Sequence, residues 1–232
     1  MKKHLFRALI PTLIFISFTP IFSYLDLSIS LFFYKLGNNS FINPLACKII
    51  YHWGPIPALF IGAIAVFTAI SSLLYSPWKY LLAPSLYLIL TLSIGSGIII
   101  NGVLKEHWHR PRPRQIQEFG GSQNYRPYYS PRLNSPPQPS KSFPSGHASM
   151  GFFFFSLSLI ALRYKKRRIF LLNTLFATIL SALLSLTRIA QGGHFFTDTL
   201  ASGLIMWLTA LFFDWWVYDK LKMQNILRKK NE

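Results

Sequence analysis

Residues 80–104, YLLAPSLYLILTLSIGSGIIINGVL, run for 25 residues without a charged side chain. Hydrocarbon is about 30 Å thick, and a helix rising about 1.5 Å per residue crosses it in roughly 20 apolar residues. No water is present there to satisfy backbone N–H and C=O groups, so a run of this kind is read as a helix that pairs them internally. The same signature recurs on both sides, from about Leu5 to Tyr24, Trp53 to Tyr75, Gly146 to Leu162, Ile169 to Leu186 and Thr199 to Tyr218. With 51% hydrophobic and only 13% charged residues, these runs predict an all-α fold, a polytopic six-transmembrane-helix bundle making one membrane domain over residues 1–232.

Between the runs the reading is local. Prolines 11, 20, 55, 57 and 84 fall near predicted helix ends or kink them. The stretch DLSISLFFYKL, Asp26 to Leu36, is too short to span and mixes polar with apolar residues, so it is read as an interfacial segment. Lys2, Lys3 and Arg7 before the first run also fit a signal peptide. No small-x-small cleavage site follows before Tyr24, which favours a retained helix.

The charge of +17 is spread unevenly. Cytoplasmic termini place Lys2, Lys3, Arg7, Lys79, the cluster Arg163, Lys165, Lys166, Arg167 and Arg168, and the tail residues Lys220, Lys222, Arg228, Lys229 and Lys230 on the inside, as the positive-inside rule requires. The loop 105–145 is then external, and it is basic too, a local exception that topology does not explain. Nucleic acid is excluded as the partner because the cations divide among helix ends and form no continuous stripe or RNA-binding motif. Cys47, the single cysteine, rules out an internal disulfide.

Three stretches at span ends carry chemistry. KEHWHRPRPR sets Lys105 and Arg112 seven residues apart, with Pro111 and Pro113 stopping a regular helix around Arg112. SFPSGHAS offers Ser145 as an N-cap, Gly146 for close backbone approach, and His147 in the first turn of the fourth run; such a helix start attracts anions. TRIAQGGHFFTD breaks at Gly192 and Gly193 and sets His194 and Asp198 at i and i+4, so that a carboxylate beside the ring fixes its tautomer. In the topology above, Lys105, His147, Arg188 and His194 all emerge on one side. Three cations, two imidazoles and a carboxylate there are the parts for holding and attacking a phosphoryl group, with the bilayer as the protein's solvent.

Lys105-x6-Arg112-Pro113, Pro144-Ser145-Gly146-His147 and Arg188-x5-His194-x3-Asp198 resemble, in order, the three signature stretches of the type 2 phosphatidic acid phosphatase (PAP2) superfamily. The third departs slightly, with Thr187 before Arg188 where the family usually has serine; the hydroxyl is kept. Glu118-Phe119-Gly120-Gly121 resembles the bacterial lipid A phosphatases of that superfamily. The resemblance implies a metal-independent phosphatase, without cofactor, acting on a membrane lipid phosphate at the outer membrane face of the bundle. It implies a bacterial inner-membrane protein with a periplasmic site and favours lipid A, at its 1- or 4′-phosphate, as substrate. Undecaprenyl pyrophosphate, phosphatidylglycerophosphate, phosphatidic acid and lipid-to-lipid phosphotransfer are the alternatives within it.

The resemblance also distributes roles. His194 is the implied nucleophile, Asp198 its orienting carboxylate, and His147 the general acid and then base. Lys105, Arg112 and Arg188, with Ser145 and the Gly146 N–H, bind the phosphate oxygens. His107 and His109 invite a zinc reading, but no acidic or cysteine partner follows at ligand spacing. Gly95, Gly97 and Gly102 lie in an apolar helix without the strand that a nucleotide loop requires, and are expected to serve close helix packing.

Overall fold

The computed structural model describes residues 2–132, 134 and 140–221. Lys222, Arg228, Lys229 and Lys230, used above for orientation, lie outside the described residues, as do the side chains of Lys2 and Lys3. The described residues form ten α-helices: α1 Lys2–Ser17, α2 Thr19–Leu36, α3 Leu45–Trp53, α4 Ile56–Leu74, α5 Leu82–Leu90, α6 Lys105–His107, α7 Gly146–Phe152, α8 Phe155–Arg163, α9 Arg167–Ala190 and α10 Phe196–Asp214. A π-helical run, Thr91–Leu104, joins α5 to α6, and another, Trp215–Lys220, extends α10. Among the described residues there is no strand, only an isolated bridge between Ile116 and Gln123.

Among the described residues, five continuous stretches are long and apolar enough to cross a membrane: Leu45–Leu74, Ser76–His107, Gly146–Arg163, Arg167–Ala190 and Phe196–Lys220. The first expected span is different. It bends by 67° between α1 and α2, giving a sixth crossing only if the bent pair counts as one. Pro20, in the first turn of α2, supplies no N–H to bond back to α1. Asp26 to Leu36 is therefore no separate interfacial segment, because α2 carries it as regular helix and buries Asp26 and Ser30. The second span starts earlier than Trp53, since α3 leads into it.

The long helices are apolar on both faces. In α9, Ala177, Ser181, Leu184 and Arg188 form a buried stripe at helical spacing, while Leu172, Leu175, Leu183 and Leu186 stand exposed, as expected where lipid replaces water. Small residues permit close approach. A Cβ on Gly151 of α7 would stand 2.5 Å from the Ser181 backbone, and one on Gly95 would stand 2.9 Å from Met206 Sδ of α10. Gly97 and Gly102 meet no neighbouring helix in this way; they lie within the π-helical run.

One end of the bundle is tied by ion pairs. Arg163 grips Asp214 with Nε and Nη2 (2.9 and 2.8 Å) and Asp219 with Nη1 (2.9 Å), and His4 Nε2 lies 3.0 Å from Asp219. The other end collects the three stretches singled out in the sequence.

Candidate active site

The described residues of the loop between Trp108 and Ser145 pack at this second end, Arg110 and Ser142 both bonding Asp198. Its short helical turns, Pro113–Gln115 and Gln117–Phe119, are tied by Arg112 N–H to Gln115 Oε1 (2.9 Å) and by Arg114 N–H to the Gly192 carbonyl (3.2 Å). Gly120 adopts a left-handed turn (φ 81°), and a Cβ on Gly121 would stand 2.2 Å from the Gln115 backbone. The Glu118–Gly121 stretch thus turns the loop back on itself and buries Phe119 against Tyr34 and Phe41 (ring centroids 5.3 and 5.4 Å).

Ser145 caps α7 as expected, its Oγ accepting from the Ala148 N–H at 3.4 Å. Its own N–H donates to the Asp198 carbonyl (3.2 Å), which fastens the start of α7 to the start of α10. Gly146 packs on Asn101, whose Oδ1 would stand 2.4 Å from a Cβ there. Lys105 Nζ donates to that same Oδ1 (3.3 Å), so the first two stretches meet through Asn101. The π-helical backbone holds the amide in place, Asn101 Nδ2 donating to the Ser96 carbonyl at 2.7 Å.

The third stretch closes tightly. Gly193 and His194 both donate their N–H to the Arg188 carbonyl (2.9 and 3.3 Å), with Gly192 at φ 59° making the turn. A Cβ on Gly193 would stand 2.2 Å from Arg188 Nη2, so any side chain there would displace the guanidinium. Arg188 in turn donates to Gln191 Oε1 (2.5 Å) and lies over the Tyr51 ring at 4.7 Å. The other face of the arrangement is His147, whose ring stacks on Tyr51 with centroids 4.3 Å apart and planes 18° apart.

His194 is buried, and its immediate partner differs from expectation. The short contact of Nδ1 is with the Ser142 carbonyl, at 2.5 Å; Asp198 Oδ2 stands 3.7 Å away. Asp198 spends its oxygens elsewhere. Oδ2 accepts from the Ser142 hydroxyl (2.5 Å) and the Phe195 N–H (2.8 Å), and Oδ1 from Arg110 Nη1 (2.5 Å). The carboxylate therefore acts on the imidazole mainly by holding Ser142, whose carbonyl only accepts and so keeps the proton on Nδ1. Nε2 is left with its lone pair. Burial pushes His194 down to about 4, against the pull of the Asp198 carboxylate, so the ring is neutral near pH 7.

Arg110, Asp26, Ser142 and Tyr51 were not singled out in the sequence. Arg110 is buried between two carboxylates, with Nη2 to Asp26 Oδ2 at 2.6 Å, Nη1 also to Thr197 Oγ1 at 2.9 Å, Nε to the Arg126 carbonyl at 2.8 Å, and the Phe195 ring 4.4 Å from its Cζ. Burial alone would lower its pKa, but Asp198 and Asp26 outweigh that and raise it. Asp26 also accepts from the Thr197 N–H (2.8 Å) and hydroxyl (2.6 Å) and from the Tyr125 hydroxyl (3.2 Å). Burial and Asp26 push Tyr125 up to about 12, which keeps it a donor.

Arg112 and Arg188 line one wall of a cavity of about 640 Å³ that also borders Tyr51. Burial and the neighbouring Arg114 lower Arg112 from the usual arginine range. Among the described residues no three His, Cys, Asp or Glu side chains gather as a metal-ligand set.

A bundle of membrane-length helices with paired histidines and clustered cations at one end defines a membrane-embedded phosphatase. The chain belongs to the PAP2 superfamily, whose family model matches residues 86–222. It is 31% identical over 205 residues to a lipid A 4′-phosphatase of Francisella tularensis subsp. novicida, covering 87% of this chain and 88% of that one. A lipid A 4′-phosphatase of Rhizobium leguminosarum is 35% identical over 127 residues, covering 52% of this chain and 48% of its own. The crystal structure of a transmembrane PAP2 type phosphatidylglycerolphosphate phosphatase from Bacillus subtilis shares the fold, with TM-score 0.57, 19% identity, and coverage of 91% of this chain and 96% of that one.

Proposed function

We propose that the protein removes a phosphate, by preference the 4′-phosphate, from lipid A in the outer leaflet of the bacterial inner membrane, with its termini cytoplasmic and its site facing the periplasm. The observation that carries the substrate reading is the match to the Francisella lipid A 4′-phosphatase over 87% of the chain. Helices α2 and α3 bring Asp26 and Tyr51 to the site.

Nε2 of His194 attacks phosphorus, and the sugar oxygen departs with a proton from His147. His147, now a base, takes a proton from water, whose oxygen displaces the phosphohistidine and frees His194 and inorganic phosphate. Lys105, Arg112 and Arg188 take up the charge on the equatorial oxygens of the five-coordinate transition state, with Ser145 and the Gly146 N–H beside them.

The test is phosphate release in detergent from lipid A, prenyl pyrophosphate and glycerophospholipids, with products identified by mass. Lipid A lacking its 4′-phosphate is the expected main product, and its absence while another lipid is cleaved overturns the substrate reading. Orientation has its own assay. A cysteine at Ser122 is expected to react with an impermeant thiol reagent in intact spheroplasts and one at Lys166 to stay protected; the reverse pattern inverts the topology.

A further inference from the structure

The cavity bordered by Arg188 and by Tyr51, on which His147 stacks, is larger and more basic than a phosphomonoester requires. At about 640 Å³ it is the size of pockets that enclose a drug-sized ligand, whereas the transferring phosphoryl group already has Lys105, Arg112 and Arg188 for its charge. Two further cations, Lys48 from α3 and Arg114 from the loop, line the same cavity, as does His52. Among the described residues no carboxylate lines it.

The walls are constructed for a polar occupant. Gln191 receives Arg188 at its Oε1 and donates from Nε2 to Asn43 Oδ1 (2.8 Å), so an amide chain runs from the phosphate-side arginine to the rim. Phe41 supplies an apolar wall beside it, held by Tyr34 and Phe119 at centroid distances of 5.4 Å each. Planar and apolar faces beside amides and cations are the surfaces on which sugar rings rest and bond their hydroxyls. Part of the basic character of the loop, which topology left unexplained, is placed here: Arg110 is neutralised inside, while Arg112 and Arg114 face this cavity.

We propose that the cavity is a headgroup subsite that takes the saccharide of the phosphorylated glycolipid, with Lys48 and Arg114 holding a second anionic substituent on that headgroup. This rests on the lipid A reading above and adds residues outside the three signature stretches. Lys48 and Arg114 are exposed side chains, so their replacement tests recognition and leaves the buried core alone.

The experiment compares kcat/KM of wild type and of a Lys48→Ala/Arg114→Ala double variant on two substrates, bisphosphorylated lipid A and phosphatidic acid, which has neither sugar nor second anion. The expected result is that the lipid A to phosphatidic acid ratio falls tenfold or more, through KM on lipid A. A monophosphorylated lipid A with only the 4′-phosphate is expected to show a smaller fall than the bisphosphorylated form. An unchanged ratio, with wild type active on lipid A, overturns the subsite and leaves the proposed function standing. Wild type that cleaves phosphatidic acid but leaves lipid A intact overturns both.

Discussion

Arg110 Nη1 lies 2.5 Å from Asp198 Oδ1, with both side chains fully buried. Through the same guanidinium Asp198 is coupled to Asp26, 2.6 Å from Nη2, so the N-terminal helix α2 reaches the carboxylate that organises His194. Two of the seven acidic residues of the chain meet at this one arginine.

Removing the shared cation leaves two buried carboxylates uncompensated, whereas neutralising one carboxylate leaves a matched pair. Arg110→Ala is therefore expected to cost roughly 3–5 kcal/mol of stability. Asp26→Asn keeps the shape and the Arg110–Asp198 bond and is expected to cost about 1–3 kcal/mol through weakened hydrogen bonds. Thermal unfolding of the detergent-solubilised variants measures both. Equal losses would show that charge balance does not govern this cluster.

The helices were legible because hydropathy is a local property, and the three chemical stretches because each is contiguous in the chain. What escaped depends on distant pairing. Asp26 in an apolar helix was the visible signal, since an ionisable group there is costly without a partner, but the reading of Asp26 to Leu36 as interfacial hid it. Its partner, 84 residues away, looked like one more loop arginine. Ser142 acts through a backbone carbonyl and Tyr51 through ring stacking, and neither leaves a mark in residue spacing. The i, i+4 relation of His194 and Asp198 did bring them together, yet 3.7 Å separates them because α10 starts at Phe196, beyond the histidine.

His194 predicts the pH behaviour. Its pKa of about 4 lies below the ordinary 6.5, so the proposed nucleophile stays neutral as pH falls through 6. The acid limb of kcat/KM that belongs to this ring is expected below pH 5. The linkage runs the same way: the unfolded chain takes up the proton first, so stability is fully present above 6.5 and is lost as pH falls from there towards 4. His194→Asn, which cannot titrate, is expected to flatten this part of the stability profile. A wild-type profile whose stability rises between pH 6.5 and 4 by virtue of His194 contradicts the assignment.

With phosphate charge assigned to Lys105, Arg112 and Arg188, activity is expected to be unchanged in excess chelator. Vanadate is expected to inhibit, since it adopts the five-coordinate geometry that the site stabilises. Chelation that abolishes turnover, with recovery on adding a divalent cation, overturns the protein-cation scheme.

The two histidines are separable by leaving group. His194→Ala removes the proposed nucleophile, and turnover is expected to vanish on every substrate. His147→Ala removes the proposed proton donor, and a lipid phosphate, whose alkoxide needs that proton, is expected to lose roughly 10²–10⁴-fold. With p-nitrophenyl phosphate the leaving group departs unprotonated, so the first step is largely restored. The second step still lacks the base that activates water, and phosphohistidine should accumulate on His194. Quenching the His147→Ala enzyme in denaturant without acid preserves that bond for mass spectrometry. Because His147 is held by the Tyr51 ring at 4.3 Å, Tyr51→Ala is expected to show a weaker form of the same substrate dependence, and Tyr51→Phe, which keeps the stacking face, is expected to restore it. Equal losses on both substrates with no trapped phosphate would remove His147 from the acid–base role, and phosphate recovered on His147 would reverse the pair.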